Sequence, residues 1–289
     1  MSQNQSKPDF IGIGTMKAGS SWVYKCLVEH PEICDKVKKE IHFFDHPHNY
    51  RQGEEFYLSH FRECPPTQLK GEFTAKYMFA PDSAERIRRH FPEVKIIVCL
   101  RDPVERAWSH YRFGVKVQGV SSMYKNFREA LEKDEELIPL GYYYEQLKRY
   151  FHLFDPENIH ILFYEDILRD PLSSIQRLYE FLGVESNYEP DNVLTRIHDT
   201  SSIQVRFRLP GLNSLLYTAR LKVGRYSWPA RSLRKVGMDK KIKKLINWNR
   251  KKTEGPNKNS AAGSMPTEDR QYLREVYRKD IERLEKLIN

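Results

Sequence analysis

Three short apolar runs alternate with helical stretches, and this alternation constrains the fold more than any other feature of the sequence. The runs cover residues 9–14, 94–100 and 159–163, and each has the length of a buried strand. The segment 171–182, which follows the third run, is a predicted helix that Gly183 terminates. Strands that alternate with helices require crossover connections, so we predict an α/β fold whose central parallel sheet is flanked by helices on both faces.

Past Glu185 the alternation stops and sustained apolar runs become rare. Apolar residues return at helical spacing over 267–288, which predicts an amphipathic C-terminal helix that packs one face on the core. We expect a single domain over 1–289, made of an α/β core (9–185), a basic and mostly helical or loop elaboration (186–266) and the C-terminal helix (267–289).

Positive charge is concentrated in one stretch of the chain. Residues 220–258 hold fourteen Lys and Arg against two acids, which is +12 in a chain of net charge +9. Nucleic acid, an anionic membrane surface and a polyanionic glycan would all be attracted to such a patch. A solvated face without a partner is the alternative.

Composition narrows the class of protein. With 39% hydrophobic and 12% aromatic residues the chain can build a sizeable core, which excludes wholesale disorder. No run approaches the roughly 20 apolar residues of a membrane span, and the first residues lack a hydrophobic signal segment. Cys26, Cys34, Cys64 and Cys99 show neither CxxC spacing nor the density of a secreted scaffold. We therefore expect reduced thiols and a cytoplasmic location.

A glycine loop joins the first predicted strand to the helix that follows. Gly14 and Gly19 stand five residues apart, so the loop directs backbone N–H groups and a helix N-terminus towards an anion. Nucleotide triphosphatases place a lysine directly after the second glycine, followed by a Mg²⁺-binding hydroxyl. Here Lys17 precedes that glycine, which favours a phosphate or sulfate ligand bound by lysine and backbone without a magnesium site. Alternatively, the glycines only relieve a tight turn.

A second candidate anion site begins at Arg101, which ends the second predicted strand. Open α/β sheets bind ligands at the carboxyl ends of their strands. Ser109 follows about two helical turns later, so an arginine fork and a hydroxyl could hold a second phosphate. The alternative is an ion network between Arg101 and Asp102, with Ser109 capping the helix or exposed.

The segment 38–45 holds a carboxylate and an imidazole. If it is extended, Glu40 and His42 share one face and could supply a general base and a partner for developing charge. Alternatively, Glu40 pairs with Lys38 or Lys39 and His42 packs in the core.

Three nearby donors, Asp45, His46 and His48, raise the question of a metal site. Pro47 interrupts them, and the sequence holds no further clustered donors. We expect no metal.

In this order the three segments resemble the sulfotransferases that use 3′-phosphoadenosine 5′-phosphosulfate (PAPS). Residues 17–22 are similar to the P-loop-like 5′-phosphosulfate loop of that superfamily, and Arg101 with Ser109 matches its 3′-phosphate site. Residues 39–45 resemble the segment that carries the catalytic glutamate in the heparan sulfate sulfotransferases and their bacterial relatives. The resemblance spans about 10–183 and 264–289.

The resemblance implies transfer of a sulfuryl group from PAPS to an acceptor hydroxyl by in-line displacement, which leaves 3′,5′-adenosine bisphosphate. Glu40 would act as the general base, His42 would orient or stabilise the transferring group, and Lys17 would stabilise the leaving oxygen. Trp22 would stack near the adenine. The implied donor contacts are Lys17, Ala18, Gly19, Ser20, Ser21, Trp22, Arg101 and Ser109.

The chain departs from the heparan branch in three places. Phe73 stands where that branch has a second catalytic lysine, and Lys76 is a candidate replacement. The loop that closes over the nucleotide has only a candidate match at 257–260. The disulfide-closed loop of the Golgi enzymes is expected to be absent, consistent with a reducing compartment.

The sequence leaves the acceptor open. We expect an alcohol or a glycan, which the 220–258 stretch would suit if it is anionic; a small-molecule, polyketide or lipid alcohol is an alternative. A kinase with a variant glycine loop, and a nucleotide- or nucleic-acid-binding protein without catalysis, are the competing functions. We expect no nucleic-acid partner and no transmembrane segment, and the sequence does not indicate an oligomeric state.

Overall fold

The structure, a computed structural model, describes residues 7–115, 124–194 and 264–289, together with the backbone of 204–207 and 250–253. The chain divides into two compact units. The first comprises Met1–Arg106, Pro139–His198 and Arg274–Asn289, and the second comprises Ala107–Ile138 and Asp199–Leu273. The single domain over 1–289 stays a prediction.

The first unit is built on a parallel sheet of four strands. Their bounds are Phe10–Gly14 (β1), Gly71–Phe73 (β2), Lys95–Leu100 (β3) and Ile159–Phe163 (β4). The strand order is β2-β1-β3-β4, and Phe10 pairs with both Gly71 and Lys95. The sequence predicted three of these strands and missed β2, which is only three residues long.

Helices and short 3₁₀ turns connect the strands. The α-helices are α1 (Ser20–Glu29), α2 (Pro47–Tyr50), α3 (Glu54–Leu58), α4 (Ser83–His90), α5 (Pro103–Phe113), α6 (Phe127–Lys133), α7 (Tyr143–Leu153), α8 (Tyr164–Arg169), α9 (Pro171–Leu182) and α10 (Thr267–Ile288). The bounds of α9 and α10 are those predicted, and Gly183 ends α9 with a φ of 83°.

The sheet is covered on both faces. Along β3, Ile96, Val98 and Leu100 belong to one apolar cluster, whereas Ile97 and Cys99 belong to the other. The first cluster also takes buried residues from α3, α4, α7 and α10, and the second from α1, α8 and α9. The predicted α/β fold with helices on both faces of a parallel sheet is confirmed.

The strand order creates a crevice between β1 and β3. The chain runs from β1 to β2 on one side and then crosses to the other side of β1 to form β3. At such a reversal of strand order the two connections leave in opposite directions, so a crevice opens outside the carboxyl ends of the strands. The loop after β1 and the residue after β3, Arg101, both lie there.

Two of the cysteines form a disulfide, so the expectation of four reduced thiols is wrong for this pair. Cys34 and Cys64 are bridged, with their Cα atoms 5.6 Å apart, whereas Cys26 and Cys99 are free and buried. The neighbouring backbone brings the pair together, because the Cys34 N–H donates to the carbonyl of Leu69 at 2.9 Å. Disulfides persist in oxidising compartments, so the cysteines no longer support the prediction of a cytoplasmic location.

The second unit contains α6 and a short antiparallel pair of strands, Gln204–Phe207 (β5) and Arg250–Thr253 (β6). Within this unit the Arg128 guanidinium lies 2.7 Å from the Asp269 carboxylate. Most of the basic stretch 220–258, and all of 257–260, lie outside the described residues. Among the helices that the structure describes, none combines the length and the apolar character of a membrane span.

Candidate active site

The loop after β1 has the backbone that an anion-binding turn requires. Gly14 adopts a φ of 149° and Gly19 a φ of 90°, both unfavourable for residues with a side chain. A Cβ on Gly14 would also lie 2.8 Å from the backbone oxygen of Ala75. The Thr15 N–H donates to the carbonyl of Cys99 at 2.7 Å, which ties the loop to the end of β3. Gly19 then caps α1, whose first residue is Ser20.

Lys17 and Arg101 lie side by side at the carboxyl ends of β1 and β3. The Arg101 Nη1 donates to the carbonyl oxygen of Lys17 at 3.3 Å, and its guanidinium lies 4.3 Å above the ring of Tyr164. The Arg101 Nε is buried and has no hydrogen-bond partner among the described residues. Burial, aided by the charges of Arg101 and Lys39, lowers the pKa of Lys17 to about 8. The two predicted anion sites therefore begin in one crevice.

Lys39 adds a third cation, which the sequence raised only as an alternative ion-pair partner of Glu40. Its Nζ donates to the hydroxyls of Ser21 at 2.8 Å and Ser20 at 3.2 Å, and it lies 3.9 Å from Oε1 of Glu40. Burial lowers the pKa of Lys39, although the charge of Glu40 acts in the opposite direction. This side chain connects the start of α1 to the segment that carries the candidate base.

Glu40 and His42 are neighbours, but not for the predicted reason. The segment is not an extended strand, because Glu40 has a φ of 64° and His42 a φ of 56°. These two left-handed residues turn the chain so that His42 Nε2 lies 3.5 Å from Glu40 Oε2. The Glu40 carboxylate also accepts from the N–H of Ala75 at 3.3 Å, and its side chain is 38% exposed. The carboxylate is thus held in place and remains open to solvent.

His42 is oriented by Asp45, a residue that the sequence raised only as a metal donor. The imidazole Nδ1 lies 2.9 Å from Asp45 Oδ2. Burial alone would lower the pKa of His42, but the hydrogen bond and charge of Asp45, with the charges of Glu40 and Glu72, raise it. The imidazole is therefore biased towards its charged form beside Glu40.

A buried carboxyl group, Glu72, supports this segment from β2. Thr74 Oγ1 donates to Glu72 Oε2 at 2.8 Å and accepts from the backbone N–H of His42 at 3.3 Å. The Tyr57 hydroxyl donates to Glu72 Oε1 at 3.4 Å. Burial raises the pKa of Glu72 to about 8, although the hydrogen bonds of Tyr77 and Thr74 act in the opposite direction; the charges of Glu40 and Asp45 add smaller increases. The sequence showed this residue only as part of the departure from the heparan branch.

Trp22 is buried, and its stacking near the adenine stays a prediction. It lies on the inward face of α1 and is only 2% exposed, and its Nε1 donates to the carbonyl oxygen of Asn192 at 3.2 Å. Stacking on adenine would require this ring to move out of the apolar cluster that holds it. Ala18 of the loop is likewise buried.

The other predicted residues are distributed as follows. Ser109 lies on α5 in the second unit, so its part in a donor site stays a prediction. Phe73 is fully buried at the end of β2. Lys76 is partly buried in the turn that follows β2, one residue after the N–H that binds Glu40.

Known proteins are similar to this chain in sequence and in fold. Residues 7–226 match the family model described as a sulfotransferase domain. The membrane-associated sulfotransferase kil1 of Dictyostelium discoideum is 24% identical, over 69% of this chain and 61% of that protein. Heparan sulfate glucosamine 3-O-sulfotransferase 5 of Mus musculus is 28% identical, over 62% of this chain and 54% of that protein. The chain thus spans less than two thirds of the length of these relatives.

One solved structure is similar in fold to this protein over almost the whole chain. The crystal structure of a sulfotransferase from Alicyclobacillus acidocaldarius superposes with a TM-score of 0.66 at 25% identity, covering 98% of this chain and 96% of that one. The family match alone extends over about three quarters of the sequence. Motif order, sheet topology, the family model and the solved structure all indicate the same family. The protein belongs to the sulfotransferase domain family.

Proposed function

We propose that the protein transfers a sulfuryl group from PAPS to a hydroxyl of an acceptor, either a glycan or another alcohol. The observation that carries this proposal is the meeting of Lys17 and Arg101 in one crevice, 3.3 Å apart through Nη1 and a carbonyl oxygen. Lys39 then connects that crevice to Glu40. The proposed donor site and the proposed general base are therefore neighbours, as a direct transfer requires.

The residues of the crevice suit a doubly anionic donor. Lys17, Lys39 and Arg101 place three cationic side chains near one another, and the repulsion of Lys17 by the other two adds to burial in lowering its pKa. An anion bound among them would relieve that repulsion. The buried Arg101 Nε, without a hydrogen-bond partner among the described residues, supplies a donor for a phosphate oxygen. PAPS supplies the activated sulfuryl group and an anionic group at each end.

The mechanism assigns one task to each side chain. As the acceptor oxygen forms its bond to sulfur and the bond from sulfur to the phosphate oxygen breaks, Glu40 takes the acceptor proton. Lys17 stabilises the electron pair left on the phosphate oxygen, with the loop N–H groups and the start of α1. His42, biased towards its charged form by Asp45, holds the Glu40 carboxylate in position. Positioning of the two substrates and electrostatic stabilisation account for most of the rate acceleration.

The acceptor class rests on the relatives. One of them is named as a heparan sulfate glucosamine 3-O-sulfotransferase, which supports a sugar hydroxyl as the acceptor here. The basic stretch 220–258 would suit an anionic glycan, but most of it lies outside the described residues. The first acceptors to test are therefore heparan-type glycans, with neutral glycans and simple alcohols beside them.

Ligand-induced stabilisation tests the donor. Thermal unfolding would be followed with 3′,5′-adenosine bisphosphate, AMP and ATP with Mg²⁺. A ligand at about 100 times its Kd stabilises the folded state by about 2.7 kcal/mol. We expect the bisphosphate to give the largest shift, because only it carries an anionic group at each end. A preference for ATP with Mg²⁺ would instead indicate a kinase, and no shift with any nucleotide would refute a nucleotide donor.

Substitution of the base tests the transfer. Glu40→Gln keeps the size and the hydrogen bond from Ala75 but cannot accept a proton. We expect turnover to fall by about 10²–10⁴-fold, the usual contribution of a general base, while bisphosphate binding stays unchanged. Glu55→Gln, at an exposed position of α3, is the matched control. Near-normal turnover of the Glu40→Gln variant would remove Glu40 from this role.

A further inference from the structure

Lys39 lies where the donor loop meets the candidate base. Its ammonium is held by two neutral hydroxyls, Ser21 at 2.8 Å and Ser20 at 3.2 Å, and its nearest carboxylate oxygen, on Glu40, is 3.9 Å away. The side chain is only 17% exposed. A largely buried ammonium ordinarily pairs closely with a carboxylate, because burial of a charge is costly without such a partner.

A second cation, Lys17, lies close to Lys39. Burial lowers the pKa of Lys17 most, and the charges of Arg101 and Lys39 lower it further, so Lys17 is repelled by both. Burial lowers the pKa of Lys39 as well. A fold gains little stability from such a cluster, whereas an anion that enters it is strongly attracted. Perturbed cations that converge in a crevice are typical of functional sites.

Lys39 lies between the proposed donor site and the proposed base. Ser20 and Ser21 begin α1, which closes the donor loop, and Glu40 is the group proposed to take the acceptor proton. A group that moves from the donor to the acceptor must pass between these two places. Lys39 is bonded to the first and lies beside the second.

We propose that Lys39 is a further catalytic residue, whose ammonium binds the oxygens of the sulfuryl group during transfer while Lys17 stabilises the leaving oxygen. This inference rests on the proposed function. It places two cations on the reacting atoms, one for the group in transit and one for the departing phosphate. Lys39 would then supply the second cation of the site. The heparan branch has a lysine for this purpose at the position of Phe73, which is apolar and buried here.

A purely structural role makes a different prediction. In that case Lys39 only ties the 38–45 segment to α1 through its hydrogen bonds to the serines. Lys39→Gln keeps a hydrogen-bond donor for those hydroxyls and removes the charge, whereas Lys39→Met removes both. A structural role therefore predicts normal turnover for Lys39→Gln and lower stability for Lys39→Met.

The experiment measures kcat and KM for PAPS, the thermal shift with 3′,5′-adenosine bisphosphate, and the unfolding temperature of each variant. We expect both Lys39→Gln and Lys39→Met to lower kcat by about 10²–10³-fold, as removal of one transition-state donor does. Bisphosphate binding should stay within a few-fold of the parent, because Lys17 and Arg101 remain to bind its phosphates and this ligand lacks the sulfuryl group. Lys39→Arg, which keeps the charge, should recover part of kcat. Lys38→Gln, at an exposed neighbouring position, is the matched control.

Three results would overturn the assignment. They are normal kcat for Lys39→Gln, loss of bisphosphate binding in step with kcat, or no recovery with Lys39→Arg in variants that unfold at the parent temperature. A loss of kcat in Lys76→Gln but not in Lys39→Gln would place the second cation at Lys76. Failure of the parent protein to bind the bisphosphate is a separate result, which refutes the proposed donor rather than the role of Lys39.

Discussion

Replacement of Glu72 by glutamine should remove a pH dependence from the stability of the fold. Glu72 is fully buried on β2, and its hydrogen-bond partners include the hydroxyls of Thr74 and Tyr57. Burial raises the pKa of this carboxyl group from 4.5 to about 8. A protonated carboxyl and a glutamine side chain are similar in size, and both are neutral.

The sign and size of the effect follow from the two pKa values. Below pH 4.5 Glu72 is protonated in the folded and the unfolded chain, so its contribution to stability is fully present. Between pH 4.5 and 8 the unfolded chain releases the proton while the folded chain keeps it, and stability falls by up to 1.36 kcal/mol per pH unit. From pH 5 to pH 8 this amounts to about 4 kcal/mol, and above pH 8 the loss stops growing.

Urea unfolding of the parent and of Glu72→Gln at each pH from 5 to 9 measures this effect. We expect the free energy of unfolding of the variant to rise relative to the parent by about 4 kcal/mol over that range, because other titrating groups cancel in the difference. Glu55→Gln, at an exposed carboxylate, should give a curve parallel to the parent. A parallel curve for Glu72→Gln as well would refute the argument that Glu72 is protonated at neutral pH.

Two further substitutions test the site. Asp45→Asn should lower the pKa of His42, because it removes a carboxylate charge and a hydrogen bond that raise this pKa; an NMR titration of the imidazole measures it, and an unchanged pKa would contradict the role of Asp45. Gly14→Ala should cost roughly 3 kcal/mol, since its φ is 149° and its Cβ would meet the backbone oxygen of Ala75. Gly183→Ala has open space around it and should cost only about 1 kcal/mol. Equal losses in thermal unfolding would contradict the steric argument.

The sequence predicted the elements whose signals are local. The last strand of the parallel sheet, Ile159–Phe163, and the helices Pro171–Leu182 and Thr267–Ile288 have the predicted bounds. Each combines a clear apolar pattern with an end signal such as Gly183, so no distant contact was needed to recognise it. The glycine loop was predictable for the same reason, because its strand, turn and helix follow one another along the chain.

Features that depend on distant partners were missed. Gly71–Phe73 is too short to show a period, and it holds a buried Glu72 that reads as a surface residue. The geometry of Glu40 depends on a positive φ, which its residue type does not signal. The role proposed for Lys39 depends on its hydrogen bonds to Ser20 and Ser21, which lie almost 20 positions away in the sequence.

The bridge between Cys34 and Cys64 encloses Lys39, Glu40, His42 and Asp45 in a single covalent ring. These residues stay within that ring in the unfolded chain, so fewer conformations are accessible to them before they refold. Reducing agents used during purification would open the ring that contains these site residues. Production in a host compartment that oxidises thiols, followed by handling without thiol reagents, is therefore the condition under which this protein is best assayed.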